Sequence, residues 1–187
     1  MIEDLFPVSL YREELNLNTE SIAKYCLDMK ELFPSVVISN IGGWQSPNLG
    51  GKHRPLNDLF KSILDASEKY CEFIQYKYPL KIGELWVNIN GYKDYNVDHI
   101  HPHSVASGIF YVKANSGDLI FQHPLGKVME YDWPSSALES YNRFNCPNCK
   151  ISPVNNQLLI FPGWLTHQVR PNLNKEDRIS ISFNLIR

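Results

Sequence analysis

At Pro79 the hydrophobic pattern of this chain changes period, and the new period dictates the fold. Before that point apolar residues recur every three or four positions; after it they recur every second position. The clearest case is the stretch 178–186. As a strand it places Ile179, Ile181, Phe183 and Leu185 on one face and Arg178, Ser180, Ser182 and Asn184 on the other. The apolar face must pack on a core. The opposite face presents a guanidinium followed by hydroxyls, which suits a bound carboxylate: Arg178 supplies a two-pronged donor and Ser180 a second group. A salt bridge on an edge strand is the plainer alternative.

Other runs have the same character. Residues 85–90 alternate, then a turn-rich stretch covers 91–96. Residues 107–113 form a second run, followed by a turn at Asn115-Ser116-Gly117 and a short strand over 118–121. Residues 157–161, a Pro162-Gly163 turn and residues 164–169 complete the set, while 123–150 is polar and reads as a long loop. Upstream, 19–33 predicts a helix with Thr19 as N-cap and Ile22, Cys26, Met29, Leu32 and Phe33 at helical spacing. Residues 55–76 predict a longer helix whose stripe is Leu56, Leu59, Phe60, Ile63, Leu64, Tyr70, Phe73 and Ile74. A helical prelude over 1–80 followed by many short strands over 81–187 points to one mainly β domain, a jelly roll packed on N-terminal helices.

Composition narrows the functions available. The 187 residues carry a net charge of -2 and no basic stripe, which argues against duplex nucleic acid as a partner. No run of 18 apolar residues occurs, so no membrane span is expected. The first residues, Met1 to Pro7, are acidic where a secretory signal is basic, so a cytoplasmic protein is expected. In that compartment Cys26, Cys71, Cys146 and Cys149 are not a disulfide framework. A homodimer is allowed.

Five of the six histidines follow residue 98. His99 and His101, two apart, share a face in extended chain and converge on one point. His103 has the same parity, but Pro102 and Ser104 mark a turning chain. His167 lies far along the sequence, with ten residues between it and Arg178. Taken alone it reads as a packed core histidine. Three imidazoles together suit a metal ion, and a cluster of solvent-exposed or hydrogen-bonded histidines is the plainer alternative.

The combination of His99-Ile-His101, distant His167, and Arg178-Ile-Ser180 resembles the 2-oxoglutarate/Fe(II)-dependent oxygenase superfamily, and within it a small bacterial and phage branch of 2OG-Fe(II) oxygenases. The resemblance is carried by 39–46, 86–90, His99 to Pro102, 107–112, Leu159 to His167, and 178–184. It covers roughly residues 38–187 and is weakest over 123–150. It implies a double-stranded β-helix, cupin-like in build, with Fe(II), 2-oxoglutarate and O2 as cofactor and cosubstrates. The implied metal ligands are His99, His101 and His167. Arg178 and Ser180 would hold the far carboxylate of 2-oxoglutarate, and Tyr111, Asn88 and Asn90 would offer further donors. The implied activity is hydroxylation of a prime substrate with release of succinate and CO2. One position departs from the superfamily pattern: His101 stands where Asp or Glu is usual. Asp98, Asp118 and His103 are alternative third ligands. Rival readings are a cupin-like three-histidine metal enzyme that does not use 2-oxoglutarate, and a non-catalytic binding module on the same fold.

Two weaker signals remain. Cys146-Pro-Asn-Cys149 is half of a zinc site, with His123 as a candidate third ligand, although a pair of reduced loop cysteines is the leading reading. Trp44 and Gln45 follow a Gly-Gly pair and suit a lid or substrate wall as well as a packed loop. Tyr131, Trp133, Tyr141 and Phe144 in the long loop suit a substrate-facing surface.

Overall fold

A computed structural model of the chain describes residues 2–50, 53–114 and 116–187. Asn115, placed in a turn from the sequence, lies outside them. Eleven strands are present among these residues: β1 Tyr11–Glu14, β2 Asn40–Ile41, β3 Trp44–Gln45, β4 Lys81–Asn90, β5 Tyr95–His99, β6 Ala106–Lys113, β7 Leu119–Gln122, β8 Asn148–Ile151, β9 Gln157–Pro162, β10 His167–Val169 and β11 Arg178–Ile186. They form two sheets, one in the order β1-β9-β6-β11-β4-β3 and one in the order β2-β5-β10-β7-β8, with every pairing antiparallel. From β4 onward the chain passes repeatedly between the sheets, which winds them into a double-stranded β-helix of the jelly-roll type.

The alternation in β11 decides how the layers stack. Helices α1 (Thr19–Leu32) and α2 (Asn57–Phe73) cover the outer face of the larger sheet. There Ile22, Met29, Leu59 and Ile63 pack with Val87, Phe110, Ile181 and Phe183 in one apolar cluster. The inner face meets the second sheet through a smaller cluster, in which Ile109, Leu159 and Phe161 meet Leu119, Phe121 and Val169. Residues of opposite parity on one strand therefore serve two different cores.

The structure corrects several boundaries. Asn18, not Thr19, caps α1, its side chain accepting from the Ser21 amide at 3.0 Å, an interaction typically worth about 1 kcal/mol. On α2, Leu59, Ile63, Ala66 and Tyr70 form the buried stripe. Leu64 sits a quarter-turn off it and Phe73 lies in the last turn, and both face solvent. The prelude is not wholly helical, since β1, β2 and β3 all fall within it. Residues 123–150 are not a bare loop: they hold a short helix, α3 (Gly126–Asp132), and most of β8, which pairs with β7. Among the described residues no helix is long and apolar enough to cross a membrane.

Candidate active site

Strand register assembles the site. His167 on β10 stands directly opposite His99 on β5, and their rings lie 4.3 Å apart between centroids. His101 follows two residues after His99, just beyond β5. Its amide donates to the Gly163 carbonyl at 2.9 Å, so the Pro162-Gly163 turn fixes where the chain bends. A side chain at Gly163 would collide with the Ser104 carbonyl, so the close approach needs glycine. The His101 ring lies 5.1 Å from each of the other two. One ligand atom from each histidine falls within 4.8 Å of the others, and this is the one such group among the described residues.

Hydrogen bonds fix the tautomers. The Val97 carbonyl lies 2.7 Å from Nδ1 of His99, and the Leu165 carbonyl 2.8 Å from Nδ1 of His167. A carbonyl only accepts, so Nδ1 is the protonated nitrogen in both rings and Nε2 keeps its lone pair. Burial lowers the pKa of all three imidazoles. His101 falls to about 4 and His167 to about 3, with His99 adding a smaller repulsion to each. At neutral pH the three rings are uncharged, the form that can ligate a metal.

The alternative ligands lie elsewhere. His103 is exposed and has a left-handed backbone, φ 68°, so the turn carries it off the shared face. Asp98 is exposed, as its opposite parity requires. Asp118 pairs with Lys150 at 3.8 Å. The zinc reading of the cysteines fails among the described residues. The Cys146 thiol donates to the Asn148 carbonyl, and His123 Nδ1 accepts from the Leu125 amide at 3.0 Å. All four cysteines are free.

A cavity of about 300 Å3 runs between the sheets from the histidines to Arg178. Arg178 is 1% exposed and has no acidic partner within ion-pair distance among the described residues. Its Nη1 donates to Asn90 Oδ1 and to Ser180 Oγ, each at 3.3 Å, while Nε and Nη2 have no partner. Those two nitrogens form one edge of the guanidinium, the edge that grips a carboxylate side-on. Tyr111 is its cross-strand neighbour through Ser180. The guanidinium sits 5.2 Å from the Tyr111 ring centroid, and the buried phenol oxygen also lacks a partner. Burial pushes the Arg178 pKa down and the Tyr111 pKa up, and the closeness of the guanidinium to the phenol, short of a well-formed hydrogen bond, partly opposes both shifts. Gly117, at φ 82°, lets the backbone pass beside Arg178, where a Cβ would press within 3.1 Å of its side chain.

Asn88 faces Ser180 across the sheet and lines the cavity, and one N–H of its amide donates to Ser182 Oγ at 3.1 Å. Its carbonyl oxygen, not a donor, is left bare. Of the proposed lid, Gln45 lines the cavity, whereas Trp44 is buried in the outer core with its indole N–H on the Phe33 carbonyl. The four loop aromatics Tyr131, Trp133, Tyr141 and Phe144 are exposed and do not line the cavity. Trp86 and Glu84 do line it. The parity that selects Asn90 and Asn88 continues back to both, so their place on this face is legible in the sequence.

Residues 84–184 match a family described as "Putative 2OG-Fe(II) oxygenase". The chain belongs to this 2OG-Fe(II) oxygenase family. Such enzymes use Fe(II), 2-oxoglutarate and O2. The oxygenase matches no curated protein by sequence. Among solved structures it is similar to a Pseudomonas putida prolyl-4-hydroxylase, at 11% identity and a TM-score of 0.65, over 96% of this chain and 94% of that one. It is also similar to the viral collagen prolyl hydroxylase of Paramecium Bursaria Chlorella virus-1, solved with 2-oxoglutarate, at 14% identity and a TM-score of 0.60, over 94% of each chain. SnoK, a carbocyclase from nogalamycin biosynthesis, aligns with a TM-score of 0.68 at 10% identity, over 95% of the oxygenase and 79% of SnoK. At these identities the likeness is one of fold.

Proposed function

We propose that the protein is a dioxygenase that hydroxylates a prime substrate, with Fe(II) held by His99, His101 and His167 and 2-oxoglutarate held by Arg178. The observation that carries this reading is the bare edge of a fully buried guanidinium in the same cavity as three neutral imidazoles. A buried cation without a partner is costly, and a ligand carboxylate offsets that cost. Ser180 and the Tyr111 hydroxyl stand beside that carboxylate as further hydrogen-bonding groups, and Asn90 orients the guanidinium. Iron held there would supply O2 activation. In the overall reaction one oxygen atom enters a C–H bond of the substrate and the other enters succinate, with loss of CO2. The chain's own part is to ligate through Nε2, orient the cosubstrate and exclude water.

The test is a paired measurement. Calorimetry under anaerobic conditions should show 2-oxoglutarate binding that requires Fe(II). Under air the same protein should form succinate, and His167→Ala should abolish both. Wild-type protein that binds 2-oxoglutarate equally well without metal, or not at all, refutes the assignment.

A further inference from the structure

The inward row of β11 is longer than 2-oxoglutarate. From Arg178 to Asn184 is six residues, about 20 Å at the usual rise of a strand. A five-carbon diacid anchored on Arg178 ends well short of Asn184. The far end of the row therefore faces something else, and it is built around a carboxylate. Asn184 is the register partner of Glu84 on β4, and its amide donates to Glu84 Oε2 at 2.7 Å. Asn184 is itself held by Ser107, whose hydroxyl donates to Asn184 Oδ1 at 2.8 Å. Ser107 and Asn184 are 0% and 6% exposed, yet the group they position is an exposed carboxylate at the cavity mouth. Among the described residues that line the cavity, Glu84 is the one acid, and no Lys or Arg pairs with it.

Two further features point the same way. Trp86, two residues along and on the same face, is half-buried, and its ring lies 5.6 Å from that of His101. It lies between Glu84 and Asn88 in the inward row of β4 and lines the same cavity. Deeper on the same strand face, the Asn88 carbonyl oxygen is buried and without a donor. Ionised 2-oxoglutarate has no N–H or O–H to give it. The cavity thus holds an aligned carboxylate, an aromatic face and an orphan acceptor, all awaiting a ligand that donates.

We propose that this mouth is the prime-substrate subsite and that it recognises a cationic nitrogen, an ammonium or guanidinium group, with Glu84 as counter-ion and Trp86 packed along the substrate. The inference rests on the oxygenase reading above for its placement of 2-oxoglutarate. A basic amino acid has this chemistry, either free or as a residue of a peptide. The carboxylate fixes the charged end, the indole contacts the stem and can favour a cation over its face, and the reacting carbon is left near His101.

The experiment uses full-length protein loaded with Fe(II) and saturating 2-oxoglutarate under anaerobic conditions. Metal-dependent 2-oxoglutarate binding is read first, so failure of the oxygenase reading shows separately. Calorimetric titrations then compare L-lysine with norleucine and L-arginine with citrulline, and the same four residues placed centrally in a short neutral peptide. At least one cationic probe should bind tenfold or more tightly than its neutral partner. The arm in which this occurs, free or peptide, identifies the source. Glu84→Gln should remove the preference while leaving 2-oxoglutarate affinity unchanged. No cationic preference in either arm, or a preference that survives Glu84→Gln, overturns the proposal.

Discussion

Replacing Arg178 by Met should move two measurements in opposite directions. In the ligand-free protein the guanidinium is buried, its pKa is lowered by desolvation, and two of its N–H groups have no partner. Exchanging such a buried ion for an apolar side chain of similar length is neutral or stabilising, by about 1–4 kcal/mol. For a chain of this size each kcal/mol raises the melting temperature by about 2–4 °C. Cosubstrate binding should suffer instead. The variant leaves the far carboxylate of 2-oxoglutarate buried without its counter-ion, a loss of about 3–5 kcal/mol. At 1.4 kcal/mol per factor of ten this weakens 2-oxoglutarate by roughly two to three and a half orders of magnitude. The assays are thermal unfolding of the metal-free protein and anaerobic calorimetry of the Fe(II) form. A variant that melts no lower than wild type but has lost 2-oxoglutarate binding fits the reasoning. Affinity within threefold of wild type would refute it, because the bare edge of Arg178 would then not be the anchor.

Two predictions concern the histidines. Their folded pKa values lie below the ordinary 6.5, so the unfolded chain binds more protons in acid. Stability of the metal-free protein should therefore be flat above about pH 6.5 and fall progressively as the pH drops from there toward 3, which urea titrations across that range would read; a midpoint unchanged down to pH 4 contradicts the burial argument. His101→Asp would create the two-histidine, one-carboxylate set usual in the superfamily. It should tighten the metal by adding an anion and weaken 2-oxoglutarate by removing one unit of positive charge, and calorimetry of each ligand in turn separates the two effects.

How much of this was legible in the sequence depended on whether a strand is central or at an edge. β11 and β4 lie inside the larger sheet with one face on the apolar helix-covered core and the other on the polar-lined cavity, so their alternation is strong, and Arg178, Ser180, Asn88 and Asn90 could be placed by parity. β1 and β8 are edge strands of sequence Tyr-Arg-Glu-Glu and Asn-Cys-Lys-Ile, with little buried surface. Polar edge strands guard against further pairing and carry no hydrophobic period to read. The histidine cluster shows a different limit. His99 and His101 were paired by local spacing, but the contact of His99 with His167 is made by cross-strand register over 68 positions, which no local rule contains. The choice between His101 and His103 also needed the structure, since it turns on a single positive φ at His103, whereas the parity of Asp98 already set it on the other face.

The outer and inner rows of β11 are under different constraints. The outer row, Ile179 to Leu185, is locked by the apolar cluster it shares with the helices and by its neighbour strand: Phe183 lies against Gly108 of β6, where even a Cβ would collide with its ring. That packing fixes register, because a slip of one residue would turn every apolar side chain into the cavity. Once register is fixed, the inner row becomes an ordered scale along the cavity. Arg178 with Asn90 marks one end, Ser180 with Asn88 and Tyr111 comes next, Ser182 with Trp86 follows, and Asn184 with Glu84 marks the mouth. The Arg178 end of that scale carries donors suited to an acid, and the Glu84 end an acceptor suited to a base. Substitutions near Arg178 should therefore change cosubstrate affinity, and substitutions near Asn184 should change the choice of substrate, with the apolar row between the sheet and the helices holding both in place.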